Sequence, residues 1–238
     1  MNPNNSEVNP LGTMISEMGK HGANVELKKR MPDGTYQTAT RETMDALGAQ
    51  ARIASTAEAI QGMTKAEKTE WAINMKDQAN KLYADKNYAE AVGIYMQALT
   101  ATDFGVGEDK ADGNVDEVVV PVLCNLAACC IQLKEWGKVL RFCEQCLNLR
   151  PDCVKAITRR GIAYVHVGEF NKALKDLNRS LTMVDNEAEK GRIKIYIGKA
   201  EKGLQEQEKS LQRRKKAMQS AFAPQPQETF AGKSKSSG

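Results

Sequence analysis

Aromatic side chains are scarce in this chain of 238 residues: two Trp, six Tyr and five Phe. A sheet built on aromatic and β-branched pairs is poorly served by that composition, so a helical fold is expected. Histidine is scarcer still, with His21 and His166 far apart in the sequence. No Gly-rich phosphate loop, paired-carboxylate motif or G-x-S-x-G elbow occurs. The usual parts of a catalytic centre are nearly all missing, and no enzyme is expected. No run of eighteen apolar residues is apparent, which argues against a membrane span. The stretch Met1-Asn2-Pro3-Asn4-Asn5 lacks the basic and apolar regions of a secretory signal. Asn at position 2 and the absence of a prenylation box argue against lipid anchors. The expected compartment is cytoplasmic.

All six cysteines fall between Cys124 and Cys153, at 124, 129, 130, 143, 146 and 153. Cys143-x-x-Cys146 has the local spacing of a metal site, but a structural zinc site wants a second such pair or a histidine pair, and neither is present. Small buried side chains in a reduced protein are the expectation, with no metal and no cofactor.

Three segments align without gaps: Lys86-Asn87-Tyr88-Ala89-Glu90-Ala91-Val92, Lys134-Glu135-Trp136-Gly137-Lys138-Val139-Leu140 and Gly168-Glu169-Phe170-Asn171-Lys172-Ala173-Leu174. Each is a polar turn, an aromatic, two mostly small or polar residues, a small apolar residue and an aliphatic one. Trp136 and Phe170 are 34 residues apart, and Tyr88 and Trp136 are 48 apart, which is one period plus an insertion of 14. Ala79, Ala127 and Gly161 sit nine positions before the aromatics, and Leu82, Cys130 and Tyr164 six before. Tyr95, Cys143 and Leu177, then Ala98, Cys146 and Ser180, follow them in register. Pro151 stops the second unit, because proline lacks an N–H and clashes with the preceding turn.

Two helices per 34 residues, with small residues where they cross, resembles the tetratricopeptide repeat (TPR). The resemblance implies an all-α, three-repeat solenoid of antiparallel helix pairs over 67–187, with repeats at 72–105, 120–153 and 154–187 and a loop insertion at 106–119. The insertion is rich in Gly and Asp and reads as a solvated loop. Residues 1–66 read as a mostly disordered arm with helix-compatible stretches such as Thr40 to Ile60, and 223–238 as a disordered tail. Residues 188–222 read as one long capping helix on which Ile197, Leu204, Leu211 and Met218 recur every seven residues. From Lys190 to Lys216 it carries ten Lys/Arg against three Glu.

The inner helices of such a solenoid project Lys76 and Asn80, four apart on one face, then Asn125, then Lys155 and Arg159, again four apart. Three cations and two amides on one concavity suit an anionic extended peptide, since like charges gathered without a partner repel. Arginine grips a carboxylate bidentately, lysine acts as a mobile point charge, and asparagine donates and accepts. The set resembles the dicarboxylate clamp of TPR co-chaperones, in which Lys-x-x-x-Asn, Asn and Lys-x-x-x-Arg stand on successive inner helices. All five positions match, and Tyr83 stands where some family members pack an aromatic on the peptide. The resemblance implies a co-chaperone that binds the Glu-Glu-Val-Asp tail of cytosolic heat-shock protein 90 or heat-shock protein 70. The layout is most similar to the TPR domain of large immunophilins of the FKBP and cyclophilin types, without their prolyl-isomerase domain. A second reading is a generic TPR assembly scaffold whose basic stretch 204–222 binds calmodulin, as that helix does in the immunophilins. A monomer is favoured, because the seven-residue seam is short and broken by glycine. No nucleic-acid partner is expected, since no aromatic platform accompanies the charge.

Overall fold

The computed structural model describes residues 28–30, 34–38, 41–102 and 115–222. The expected tail at 223–238 and most of the insertion lie outside them. A two-stranded antiparallel pair opens the described chain, β1 (Lys28–Arg30) against β2 (Tyr36–Thr38), with Arg30 opposite Tyr36. An all-α expectation did not foresee it. Pro32 and Asp33 lie outside the described residues, and Gly34 takes the left-handed φ of 84° ahead of β2. Everything else described is helix or the turns between helices: α1 (Arg41–Ala59), α2 (Lys65–Ala84), α3 (Tyr88–Ala101), α4 (Val120–Gln132), α5 (Trp136–Leu149), α6 (Val154–Val167), α7 (Phe170–Met183) and α8 (Glu187–Ala221).

Three antiparallel pairs, α2 with α3, α4 with α5 and α6 with α7, stack in sequence order. Each pair turns in the same way. Lys86, Lys134 and Gly168 all take left-handed φ, at 63°, 59° and 83°. The next N–H in each turn reaches back to a carbonyl of the preceding helix, Asn87 to Leu82, Glu135 to Cys130 and Glu169 to Tyr164, each at 2.9 Å. This is the Schellman closure, which satisfies carbonyls that a helix end otherwise leaves orphaned. It explains why the polar turn recurs in register with the aromatic that follows it. The aromatics pack beside the turns: Tyr88 meets Tyr83 edge-on at 5.2 Å, and Trp136 stacks on His166 at 3.9 Å.

Small residues set how closely the helices approach. Ala79 and Ala127 are fully buried. A Cβ at Gly161 would lie 2.8 Å from Leu177 Cγ, so α6 and α7 touch backbone to side chain there. The same pair is held by Arg160, whose Nε and Nη2 donate to the two carboxylate oxygens of Asp176 at 2.7 and 2.9 Å. Gly203 of α8 has an equally specific reason. Phe170 lies against it, and a Cβ there would enter the phenyl ring.

Three boundaries need correction. Residues 41–59 are not a free arm: α1 packs against α3, Thr56 is buried, and Ile60 joins the main core. The helix that opens the first repeat starts at Lys65, ahead of the expected 72, where Thr64 and Glu67 form a reciprocal capping box. The insertion ends at 114, because Val115–Val119 form a π-helix that runs into α4, with Val115, Val118 and Val119 buried. Together Val115–Gln132 make one helix long and apolar enough to cross a membrane by length and composition, although Asp116 and Glu117 break the apolar run. Its packing against α2, α3, α5 and α6 marks it as the central core helix of the stack.

The α8 helix caps the array. Ile193 and Ala200 are buried against α7, and Gln207 Nε2 donates to Gly168 O at 3.0 Å. Past that point the helix projects, leaving Leu211 53% and Met218 65% exposed.

The left-handed lysines give a direct test. Lys134→Gly removes the Cβ clash at a position that needs positive φ, and is expected to stabilise the fold by about 0.5–1 kcal/mol in chemical denaturation. Gly168→Ala is expected to destabilise it by a similar amount.

Candidate functional site

The inner helices α2, α4, α6 and α8 carry the polar residues singled out by the sequence, and the structure sorts them into two groups. The first is an amide cluster. Asn80 Oδ1 accepts a hydrogen bond from the Tyr95 hydroxyl at 2.6 Å and another from Asn125 Nδ2 at 3.0 Å. Tyr95 is 1% exposed, and burial pushes its hydroxyl up to about 12, so it stays a donor. With its oxygen doubly occupied, the Asn80 amide is fixed so that its NH₂ remains the available end. That NH₂ makes one long contact, 3.4 Å to Asp77 Oδ1.

The second group lines a cavity of about 250 Å³ between α2, α4, α6 and α8. Tyr83, Lys155 and Arg159 form one side, and Glu189, Arg192 and Tyr196 of α8 form the other. Three cations face one carboxylate, so the cavity is net positive. Arg159 Nη1 is buried and has no hydrogen-bond partner among the described residues. An orphaned guanidinium N–H in a low-dielectric setting is costly, and an arriving anion would satisfy it.

Lys76 belongs to neither group. It lies one turn before Asn80, with its Nζ 3.4 Å from the Glu117 carbonyl oxygen on the π-helix. Proline at 121, four residues on, has no N–H to offer that carbonyl.

These repeats have recognisable relatives. A family model described as tetratricopeptide repeat matches residues 126–197. The peptidyl-prolyl cis-trans isomerase PASTICCINO1 of Arabidopsis thaliana is 29% identical over 119 residues, which is 50% of this chain and 19% of that protein. Among solved structures, the C-terminal TPR-containing domain of a Plasmodium falciparum FK506-binding protein superposes with a TM-score of 0.55 at 22% identity, covering 63% of this chain and 99% of that one. The Hsp90 co-chaperone Cns1 of Saccharomyces cerevisiae does so with a TM-score of 0.50 at 24% identity, covering 64% of this chain and 46% of that one. The chain carries a tetratricopeptide repeat domain. It spans less than a fifth of the curated relatives it resembles, whose names describe much longer proteins.

Sequence reasoning placed Tyr95 only in a packing column of the TPR domain, with Cys143 and Leu177. Its hydroxyl was the available signal, being the one polar group in that column. Arg192 and Tyr196 were also missed, although they stand four apart at the start of α8 and so share a face.

The cysteines of the TPR domain are free thiols, all buried except the half-buried Cys153. Desolvation pushes Cys129 up to about 11 and Cys130 and Cys143 up to about 12, in keeping with inert packing groups. Cys153 differs. Contacts with the Cys124 and Cys146 thiols, the Ala156 N–H at the start of α6 and the Arg159 charge all pull its thiol below the ordinary range. A depressed pKa leaves thiolate present as the pH falls. An ordinary thiol loses about tenfold in thiolate per unit below a pKa near 8.5. Cys153, the half-buried thiol with a lowered pKa, is therefore expected to alkylate first, and to lose less rate than an ordinary thiol as the pH falls. Peptide mapping after iodoacetamide pulses checks this.

Proposed function

We propose that the TPR domain captures the free C-terminal end of an acidic peptide, of the Glu-Glu-Val-Asp type carried by cytosolic heat-shock protein 90 and heat-shock protein 70. Lys76, Asn80 and Asn125 hold one carboxylate of the terminal residue. Lys155 and Arg159 hold the other carboxylate and the preceding chain, and Tyr83 packs on an apolar side chain. The observation that carries this reading is Arg159, whose buried Nη1 is unpartnered among the described residues and which lines a net-positive cavity. The fixed Asn80 amide supports it, because its NH₂ end, held only by the long contact to Asp77, is left to donate to an anion.

The protein acts in this reading as an adaptor, by binding rather than by chemistry. Six free thiols suit a reducing, cytosolic setting. Charge-assisted hydrogen bonds contribute about 1.5–3 kcal/mol each, and ordering a flexible peptide takes back several. A dissociation constant on the order of micromolar follows, near −8 kcal/mol, and it weakens as salt is added.

Calorimetric titration with a chaperone-tail peptide tests the proposal. Amidating the peptide C-terminus, or making Lys155→Ala or Arg159→Ala, is expected to weaken binding at least tenfold with helicity intact. Unchanged affinity in these variants would refute the clamp. Tyr95→Phe, which releases the Asn80 amide while keeping the ring, is expected to cost a few-fold.

The projecting end of α8 supports a second, compatible role. Leu211, Met218 and Phe222 are 53%, 65% and 79% exposed around the basic run Arg213-Arg214-Lys215-Lys216. A basic amphipathic helix of this kind fits the groove of calmodulin. A calcium-dependent shift on a native gel is the expected result, abolished by removing residues 211–222. Light scattering of the same sample is expected to give a monomer.

A further inference from the structure

The peptide groove leaves one cluster of reactive side chains unused. Cys124 comes from α4, Cys146 from α5, and Cys153 stands at the N-cap of α6. Their sulfurs all lie within 4.8 Å of one another. Cys124 Sγ is 3.7 Å from Cys146 Sγ and 3.6 Å from Cys153 Sγ. Packing accounts for buried thiols one at a time and does not require three from different helices to meet at one point. Nor is this the pair that local spacing suggests: Cys143 is not part of the group.

The separations fit a definite chemistry. Around an ion with metal–sulfur bonds of about 2.3 Å, thiolates stand about 3.8 Å apart at tetrahedral angles and about 4.0 Å apart in a trigonal plane. The observed distances reach either value with small side-chain adjustments. A disulfide would need two sulfurs to close to about 2.05 Å and would leave the third thiol over. No carboxylate belongs to the group, so the donor set is soft and disfavours Mg²⁺ and Ca²⁺.

We propose that Cys124, Cys146 and Cys153 form a three-thiolate site for a soft d¹⁰ cation, Zn(II) or Cu(I). An open coordination position lies on the half-buried Cys153 side. Binding releases the thiol protons. Three thiolates and Zn(II) carry a net charge of −1, and the Arg159 guanidinium acts electrostatically on both Cys124 and Cys153. The site would join α4, α5 and α6 directly behind the groove, because Cys124 adjoins Asn125 and Cys153 lies two residues before Lys155. It stands on the sulfur geometry alone and holds whether or not the groove takes an acidic tail.

The test uses the full chain, reduced and stripped with a chelator, titrated with Cd(II) as a spectroscopic probe. One equivalent is expected to bind, with a thiolate-to-cadmium charge-transfer band, and Zn(II) or Cu(I) is expected to displace it. Zn(II) alone should raise the melting temperature, because it binds the folded state. Cys153→Ser keeps a good N-cap residue and should fold, while weakening Cd(II) binding at least tenfold. Cys143→Ala, on the same helix as Cys146, should bind as the parent does. Absence of the band, a band that neither ion displaces, undiminished binding by Cys153→Ser, or loss of binding in a folded Cys143→Ala protein would each overturn the proposal.

Discussion

The structure depends on how closely paired helices can approach. One helical hairpin cannot bury its apolar face alone, and stacking succeeds only if successive pairs meet at the same distance and angle. Two devices repeat to ensure this. Small residues stand at the crossings, most tightly at Gly161 against Leu177. A left-handed residue closes every turn between paired helices, at Lys86, Lys134 and Gly168. Two of these three are lysines, which accept strained backbone for the sake of the closure. That the geometry persists there without glycine shows that the turn, rather than the residue type, is the conserved unit of the architecture.

Regular stacking turns sequence spacing into spatial order, and the groove follows from it. Asn80 and Asn125 are 45 residues apart, yet their side chains touch because each sits on the inner helix of its pair. The Tyr95 hydroxyl beneath them comes from the outer helix of the first pair, so the core itself orients the groove. Arg159 illustrates the cost. Its guanidinium acts electrostatically on Cys124, Cys153 and Tyr95, and the buried Nη1 has no hydrogen-bond partner among the described residues. Such a group is a poor contributor to stability, and the proposed function would give it an anion as partner.

Much of this was legible from the residues because repeats make structure periodic. The three turn segments, the aromatics after them and the capping role of α8 all follow from alignment of the chain with itself. What stayed hidden was tertiary or singular. The docking of α1 depends on where Ile60 lands, which helix-compatible composition in Thr40 to Ile60 does not state. The π-helix at Val115–Val119 follows a Gly-rich stretch that reads as loop, and only burial of its valines shows otherwise. The contact of Lys76 Nζ with the Glu117 carbonyl crosses to the π-helix, which the spacing of Lys76 and Asn80 does not state. Gly203 in α8 is required by Phe170, which fills the space a Cβ would take, and that contact is tertiary. The meeting of Cys124, Cys146 and Cys153 had no sequence signal at all, since each lies in a different helix.

The last repeat shows how one element serves two purposes. Without α8, the apolar face of α6 and α7 would lie open, as any terminal pair of a solenoid would. Ile193 and Ala200 close that face. The same first turns carry Glu189, Arg192 and Tyr196 into the wall of the cavity opposite Tyr83 and Arg159. Capping and groove formation are therefore mechanically linked: anything that loosens the start of α8 both exposes the core and widens the cavity. The projecting end, beyond the Gln207 contact with Gly168, is free of that constraint. A partner that takes hold of the distal helix acts on a lever whose other end forms the groove wall. In the proposed function, both the distal capture and the peptide contacts would act through this one helix.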